Sequence, residues 1–238
     1  MKRLIALMGL VLMMGLLSGC LYPQERRQHA EQLPQHIMNV QAAVDAYFKE
    51  HKELPYKYTE NEHKLTTKYL VNFKTLQGYL NDIPPTAFEK GGNFLYVLIN
   101  VEKKPTVRVY DLRVDGEISK VQPYVNRYVE EKGQIPRLDQ VASGYYTINF
   151  DQLGVDPVTI PSPYSTDTQL PLLVDSQGKV YVDYRTEVMK KIQGSQKKPE
   201  AGQDVREWLA QDSFFVPAFS PAMKMEEGDP VFAPVRQK

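Results

Sequence analysis

The sequence predicts an α+β protein of two tandem related units, each an amphipathic helix followed by a small antiparallel sheet, plus a C-terminal extension. An internal repeat is the first reason, because residues 37–55 and 118–136 align without gaps and share seven of nineteen positions. Three shorter blocks of similarity follow in the same order in both copies. The other reasons are the helical spacing of apolar residues and the β-branched and aromatic runs after each helix. We therefore expect two copies of one unit, at 35–115 and 116–192.

Each unit is predicted to begin with a helix whose apolar residues form one stripe. Pro34 suits the first turn of the first helix. Pro55 and Pro136 mark the helix ends, because a residue before proline is pushed out of the α region. In the second helix, Ser119 and Gln122 have the spacing of an N-terminal capping box. The stripe residues are Ile37, Val40, Val44, Tyr47 and Phe48 in the first helix and Ile118, Val121, Val125, Tyr128 and Val129 in the second.

The strands of both units are predicted from aromatic and β-branched runs bounded by turn residues. The last two runs of the second unit are separated by residues 175–178, a glycine-containing loop that indicates a hairpin. A helix followed by a hairpin or meander is typical of the α+β class. The predicted runs are 69–73, 94–101, 106–112, 145–150, 170–174 and 179–184.

The C-terminal extension, 193–238, begins with a polar linker and carries an aromatic cluster set between prolines. The cluster consists of Phe214, Phe215 and Phe219. We expect it to pack against the body of the protein, since this much apolar surface is unfavourable in water. The alternative is that it docks a partner, because exposed apolar clusters mark interaction sites.

The first twenty residues are typical of a secretory leader: a basic start precedes an apolar run shorter than the ~20 residues that cross a bilayer. The run closes with Leu17, Ser18, Gly19 and Cys20, which resemble a bacterial lipobox. That resemblance implies cleavage of a signal peptide, 1–19, and acylation (palmitate) of Cys20 as the new N-terminus, with 20–34 as a tether. The alternative is an ordinary signal peptide with a chance cysteine.

Composition narrows the classes of partner. The chain has 29 basic and 29 acidic residues, finely mixed, which predicts neither nucleic-acid binding nor a polybasic contact with lipid. The membrane is therefore expected to be a partner through the N-terminal lipid. Because Cys20 is the single cysteine, its lipidation leaves no thiol for a disulfide, a nucleophile or a metal–sulfur site. We expect no cofactor.

The sequence has no motif for catalysis or metal binding, so we expect no catalytic residue, no metal site and no enzyme. The four histidines lack zinc-ligand spacing, and no serine lies in a known nucleophile motif. Repeated Asp-x-Arg pairs are the remaining polar candidates. They are interpreted as salt bridges at strand ends, or alternatively as charges that bracket a ligand between the units. The pairs are Asp111 with Arg113 and Asp183 with Arg185.

Two resemblances to known families are visible. The helix ending before Pro55, followed by Tyr79-Leu-Asn-Asp-Ile-Pro-Pro and Gly91-Gly-Asn-Phe-Leu-Tyr96, is similar to the globular part of type II secretion pseudopilins. The chain lacks the prepilin cleavage glycine, the glutamate beyond it and the polymerising helix, so this resemblance implies the local fold alone. Over its length the chain resembles uncharacterised lipoproteins of Bacillus-type Firmicutes, which implies a place on the outer face of the cytoplasmic membrane.

The sequence therefore predicts a lipid-anchored, extracytoplasmic cell-envelope lipoprotein, a non-catalytic binding or assembly factor with an envelope protein partner. Its working surface is expected at the seam between the units together with residues 214–219. A solute-binding lipoprotein of an ABC transporter is the alternative, although that class uses two larger α/β lobes. An envelope hydrolase is the third hypothesis, and it would need a nucleophile and a base in contact.

Overall fold

The computed structural model describes residues 21–58 and 67–235, with the backbone alone for 21–30. The predicted lipobox, from Leu17 to Cys20, lies outside the described residues. Within them the α-helices are α1 (Leu21–His51), α2 (Leu112–Lys132), α3 (Phe150–Leu153), α4 (Arg185–Gln193) and α5 (Arg206–Gln211). The strands are β1 (Tyr56–Tyr58), β2 (Tyr69–Val71), β3 (Phe94–Ile99), β4 (Thr106–Asp111), β5 (Arg137–Ala142), β6 (Tyr145–Ile148), β7 (Thr159–Pro161), β8 (Gln169–Asp175), β9 (Val180–Val182), β10 (Met223–Glu226) and β11 (Asp229–Phe232).

The α+β class is confirmed, because helices alternate with sheets whose strands pair antiparallel. The first sheet has the order β1-β2-β3-β4 and follows α1. The second has the order β5-β6-β8-β7, with β9 also paired to β8, and follows α2. A separate hairpin, β10-β11, comes from the C-terminal extension. The six predicted strand runs all contain a strand, and the hairpin across residues 175–178 is the β8–β9 pair.

The predicted helical stripes form the centres of two hydrophobic cores. In α1, Ile37, Val40 and Val44 are at most 2% exposed and pack with the first sheet. In α2, the corresponding residues Ile118, Val121 and Val125 are at most 5% exposed and pack with the second sheet. Phe48 is an exception, because it is 41% exposed and does not belong to the stripe.

Both helices begin earlier than the sequence predicts. The first starts at Leu21 and keeps Pro34 inside it, so the expected tether is helical from that residue onward. The second starts at Leu112 and contains Pro123 as well as the predicted boundary between the units at 115/116. The predicted capping box at Ser119 is wrong, because Asp111 caps this helix by accepting a hydrogen bond from the backbone N–H of Arg113 at 3.0 Å.

Gln122 instead makes a tertiary contact that the first unit repeats. Its Oε1 accepts from the backbone N–H of Val180 in β9 at 2.8 Å. In the same way, Gln41 Oε1 accepts from the N–H of Val107 in β4 at 2.7 Å. Each glutamine Nε2 also donates to the carbonyl oxygen two residues before that valine, at 2.7 Å and 3.2 Å respectively. The repeated glutamine therefore attaches each long helix to an edge strand.

Alanine at either repeated glutamine is expected to lower the free energy of unfolding by about 1–3 kcal/mol, because a buried backbone N–H loses its acceptor. Val107 and Val180 are both fully buried, so water does not replace the amide. Urea unfolding of Gln41→Ala and Gln122→Ala would measure the loss. Gln35→Ala is the matched control, since the exposed Gln35 bonds the side chain of the exposed Asn39. A loss in the control equal to that in the two variants would contradict the assignment.

Buried tyrosines make the stability fall at alkaline pH. Burial raises the pKa of Tyr96 to about 12. The hydrogen bond between its hydroxyl and Thr86 Oγ1, at 2.7 Å, has a smaller effect that lowers the pKa. A phenol with a raised pKa contributes stability that is fully present below pH 10, the unfolded pKa, and is lost as the pH rises towards 12. We expect Tyr96→Phe to reduce the alkaline loss by up to about 2 kcal/mol. Thermal unfolding at several pH values would measure it, and an alkaline loss as large in Tyr96→Phe as in the wild type would contradict the assignment.

Candidate functional site

Residues 214–219, here called the seam segment, connect the two units. The carbonyl oxygen of Phe214 accepts from the N–H of Val109 in β4 at 2.8 Å, and Val216 donates back to Val109 O at 3.0 Å. Five residues after Phe214, the carbonyl of Phe219 accepts from the N–H of Val182 in β9 at 3.0 Å. Both β4 and β9 are edge strands. In each of them the seam segment binds the residue two positions after the valine that the repeated glutamine binds.

The expected packing of the aromatic cluster is found for most of the seam segment. Phe215 packs edge-on against Phe94 with ring centroids 6.1 Å apart, and Val216 is 2% exposed. Phe219 packs against the second core. Phe214 differs from its neighbours because 36% of it is exposed. Of the three phenylalanines, Phe214 is therefore the one whose ring is accessible enough for the docking hypothesis.

A pocket of about 340 Å³ opens beside the exposed ring of Phe214. Its walls come from the loop after β7, from α4, from the end of α5 and from the start of the seam segment. Pro163 and Leu209 join Phe214 in the apolar lining. The polar lining includes Ser165 and four charged side chains of balanced sign, namely Glu187, Asp212, Lys190 and Lys191. The pocket thus combines an apolar wall with polar groups, which is the usual composition of a binding site.

The polar group of the pocket is centred on the buried carboxylate of Glu187, which is 3% exposed. Ser165 Oγ donates a hydrogen bond to Glu187 Oε1 and lies 2.8 Å from Thr168 Oγ1. Lys190 Nζ donates to Thr168 Oγ1 at 2.5 Å and is 3.9 Å from Glu187 Oε1, which is beyond hydrogen-bond distance. The carboxylate is therefore bonded to a neutral hydroxyl and not directly to the nearby ammonium.

Tyr164 fixes one side of this pocket to the seam segment. Its hydroxyl donates to the carbonyl oxygen of Phe215 at 3.4 Å. Burial, together with the charge of Glu187 and the neighbouring Tyr184, raises the pKa of Tyr164 well above its ordinary value. The phenol consequently stays protonated further into the alkaline range and remains a donor to the segment.

The contacts of Ser165 and of the described histidines define which polar groups the pocket contains. The Ser165 proton goes to a carboxylate, and neither His36 nor His51, the two histidines with described side chains, lines the pocket. His36 contacts Thr86 at 3.1 Å and His51 contacts Tyr79 at 2.8 Å, both within the first unit. Within the described residues, no three His, Cys, Asp or Glu side chains are grouped so that they could hold a metal ion.

The predicted Asp-x-Arg pairs are ion pairs closed within each motif. Arg113 Nη2 lies 2.5 Å from Asp111 Oδ2, and Arg185 Nη2 lies 2.6 Å from Asp183 Oδ2. The arginine Nε also bonds the same carboxylate in each pair. They lie where a strand passes into a helix, which agrees with the salt-bridge interpretation. None of the four residues lines the pocket beside Phe214; Asp183 and Arg185 line a more open depression near β11.

A third Asp-x-Arg pair, Asp204 with Arg206, was missed by the sequence reasoning. It has the same geometry, with Arg206 Nη2 at 2.6 Å from Asp204 Oδ2, and it opens α5. The signal was present as the same residue spacing, but it lies in the extension, which showed no other repeat. The pocket residues Ser165 and Glu187 were also missed, because a serine in a turn and a glutamate on a helix are ordinary surface features in a sequence.

Comparison with known proteins gives one family match. Residues 33–111 match the model of the YphF family N-terminal domain. The match covers about a third of the chain, beginning inside α1 and ending at the last residue of β4. The YphF domain match therefore includes the first helix and the first sheet, and it leaves out the pocket. No curated protein and no solved structure matches the chain.

Among the described residues, no helix combines the length and the apolar character needed to span a bilayer.

Proposed function

We propose that this chain is a non-catalytic binding or assembly factor of the cell envelope. Acyl chains on Cys20 would hold it at the outer face of the cytoplasmic membrane, and an envelope protein would be its partner. The anchor is supported by the sequence Leu17-Ser18-Gly19-Cys20 after an apolar run, with the single cysteine of the chain at the position that a lipobox requires. Two acyl chains are sufficient for stable anchoring without a spanning helix.

The observation that carries the binding activity is the pocket beside Phe214. An aromatic ring that is 36% exposed lies next to a depression with a buried carboxylate, at the place where the extension joins both units. Exposed aromatic residues bordered by polar groups are typical of protein interaction sites. The working surface proposed for this protein is therefore the pocket together with the exposed face of Phe214.

The two other hypotheses have weaker support. A solute-binding lipoprotein would be expected to use larger lobes with parallel βαβ connections, whereas the ladders here are antiparallel. An envelope hydrolase would need a base in contact with its nucleophile. Ser165 does donate to the carboxylate of Glu187, but Lys190 Nζ lies 3.9 Å from that carboxylate and does not bond it directly to orient it as a base.

Cross-linking in intact cells, followed by mass spectrometry, tests the proposal directly. We expect a single reproducible envelope partner, cross-linked near Phe214, for the wild-type protein and its loss for Cys20→Ala. Metabolic labelling with a fatty acid should mark the wild-type chain and leave Cys20→Ala unlabelled. Recovery of bulk membrane proteins alone, equally with both forms, would contradict the proposed function.

A further inference from the structure

We propose that a pocket between the end of α2 and the β8–β9 turn binds a carboxylate, with Arg137 as the group that recognises it. The volume of this pocket, here called the Arg137 pocket, is about 310 Å³. It shares no lining residue with the pocket beside Phe214. It is therefore a second site, distinct from the surface at which the envelope partner is proposed to bind.

Arg137 is the one charged side chain among the residues that line this pocket. Its Cζ lies 4.8 Å from the centroid of the Tyr146 ring. Within the part of the chain that the structure describes, its guanidinium makes no ion pair and no hydrogen bond. The pocket therefore carries one positive charge without an anion. The rest of its lining is uncharged and consists of Val129, Gly133, Gln134, Ile135, Tyr146, Ser176 and Gln177.

The acidic side chains of the neighbourhood do not neutralise this charge. Asp175 opens the β8–β9 turn, but it is 2% exposed and its Oδ1 accepts the backbone N–H groups of Gln177 and Lys179 at 2.8 and 2.9 Å. The C-terminus of α2 adds a partial negative charge, which Lys132 in its last turn offsets. The remaining acids near the lining in the sequence are exposed and outside it, namely Glu130, Glu131 and Asp139.

Backbone hydrogen bonds hold both walls of the Arg137 pocket in place. On one side Gly133, with a φ of 67°, ends α2, and its N–H donates to Val129 O at 2.8 Å. On the other side the N–H of Ser176 donates to Gly144 O at 2.8 Å and attaches the turn to the start of β6. Walls fixed in this way lose little conformational freedom when a ligand binds, which favours affinity.

In the first unit an aromatic side chain takes the place of Arg137. The alignment of the two units places Tyr56 opposite Arg137 and Tyr69 opposite Tyr146. The rings of Tyr56 and Tyr69 are in edge-on contact, with centroids 5.0 Å apart. Packing over the repeated tyrosine is therefore satisfied without a charge, so the fold alone does not require an arginine in the second unit.

One guanidinium between apolar walls is suited to a carboxylate on a small apolar group. The planar fork of arginine matches the two oxygens of a carboxylate. A phosphate dianion would bring a second negative charge, for which the lining has no counterpart. Val129 and Ile135 provide apolar surface for the rest of the ligand. A volume of about 310 Å³ is at the small end for ligand sites, so it suits the C-terminal residue of a peptide or a small free acid.

A titration of the full chain in a non-ionic detergent tests this site, followed by NMR or by isothermal titration calorimetry. The probe is acetyl-Ala-Ala-Val with a free C-terminal carboxylate, and the matched peptide is its C-terminal amide. We expect the acid to bind about tenfold or more tightly than the amide, since charge-assisted hydrogen bonds are gained. Isovalerate, titrated in parallel, identifies the source of the carboxylate. Binding as tight as that of the peptide supports a site for small free acids, and weaker binding supports a site for a peptide C-terminus.

Arg137→Tyr is the most informative variant, because it introduces the side chain that the first unit carries at this position. It should keep the fold and abolish the preference for the acid over the amide. Arg137→Lys keeps the charge without the planar fork, so a reduced preference should remain. Arg127→Gln is the matched control, since Arg127 lies 5.1 Å from the centroid of the Tyr124 ring and outside the lining. It should leave the binding of both peptides unchanged.

Three results would overturn this assignment. Equal binding of the acid and the amide, or no saturable binding of the acid, would exclude recognition of a carboxylate. A preference for the acid that persists in Arg137→Tyr would exclude this guanidinium. Inorganic phosphate that displaces the peptide acid at an equal or lower concentration would indicate a phosphate site instead.

Discussion

Asp204→Asn is expected to lower the free energy of unfolding by about 3 kcal/mol, because it removes the counter-charge of a buried arginine. The Arg206 side chain is 9% exposed. Its Nε and Nη2 bond Asp204, and its Nη1 donates to the carbonyl oxygen of Ser220 at 2.7 Å. Asparagine keeps the shape of the side chain but not the charge, so the buried guanidinium loses the anion that bonds it. Chemical denaturation, analysed as a two-state transition, would measure the loss.

The other two Asp-x-Arg pairs provide matched controls of the same chemistry. In the first pair the Arg113 side chain is 60% exposed, so water can replace the lost carboxylate and Asp111→Asn should cost less than about 1 kcal/mol. Arg185 is 29% exposed, which places Asp183→Asn between the other two variants. The expected order of destabilisation therefore follows the burial of the arginine. Equal losses in all three variants would show that burial of the arginine does not determine the strength of these pairs.

The parts of the fold that were predictable from sequence are those set by local patterns. The apolar stripes of α1 and α2, which contain Val40 and Val121 respectively, are recognisable in the sequence because a helical repeat involves only residues a few positions apart. The β8–β9 hairpin was predictable for the same reason, since its loop ends in Gly178, where a φ of 84° favours glycine. The α+β class follows from these local elements.

The helix starts were not predictable, because tertiary contacts decide them. Gln122 has the spacing of a capping-box residue, but its amide is used by Val180, which lies 58 positions later in the chain. Pro34 led to a wrong prediction of the start of α1 for a related reason. Pro34 is best tolerated in a first turn, yet α1 continues through it from Leu21. A local sequence pattern shows which conformations are possible, but tertiary packing decides which of them forms.

The candidate site was even harder to predict than the helix starts, because it is assembled from segments that are distant in the sequence. Ser165 belongs to the loop after β7, Glu187 to α4 and Phe214 to the extension. The sequence around each of these residues is ordinary and does not indicate a site. The site exists only because the fold brings the three residues close together. The aromatic residues of the extension were the one sequence signal, and they indicated a buried segment without naming the strand edges that it covers.

Val216→Asp is expected to produce the other large effect, a loss of about 3 kcal/mol or more, because it places a charge in a buried position. Val216 is 2% exposed and its N–H bonds Val109 O in β4. A charged side chain there should detach the seam segment and uncover the edges of β4 and β9. Since uncovered strand edges pair with other chains, we also expect self-association. Chemical denaturation and sedimentation velocity would measure the two consequences.

Gln211→Asp is the control for this prediction, because it introduces the same side chain at an exposed position five residues earlier. It should change stability by no more than about 0.5 kcal/mol and leave the protein in the same oligomeric state. A Val216→Asp protein that is destabilised but does not self-associate would mean that the segment contributes packing without protecting the edges. Unchanged stability would show that the seam segment does not hold the two units together, and the pocket formed beside it would then lose its structural basis.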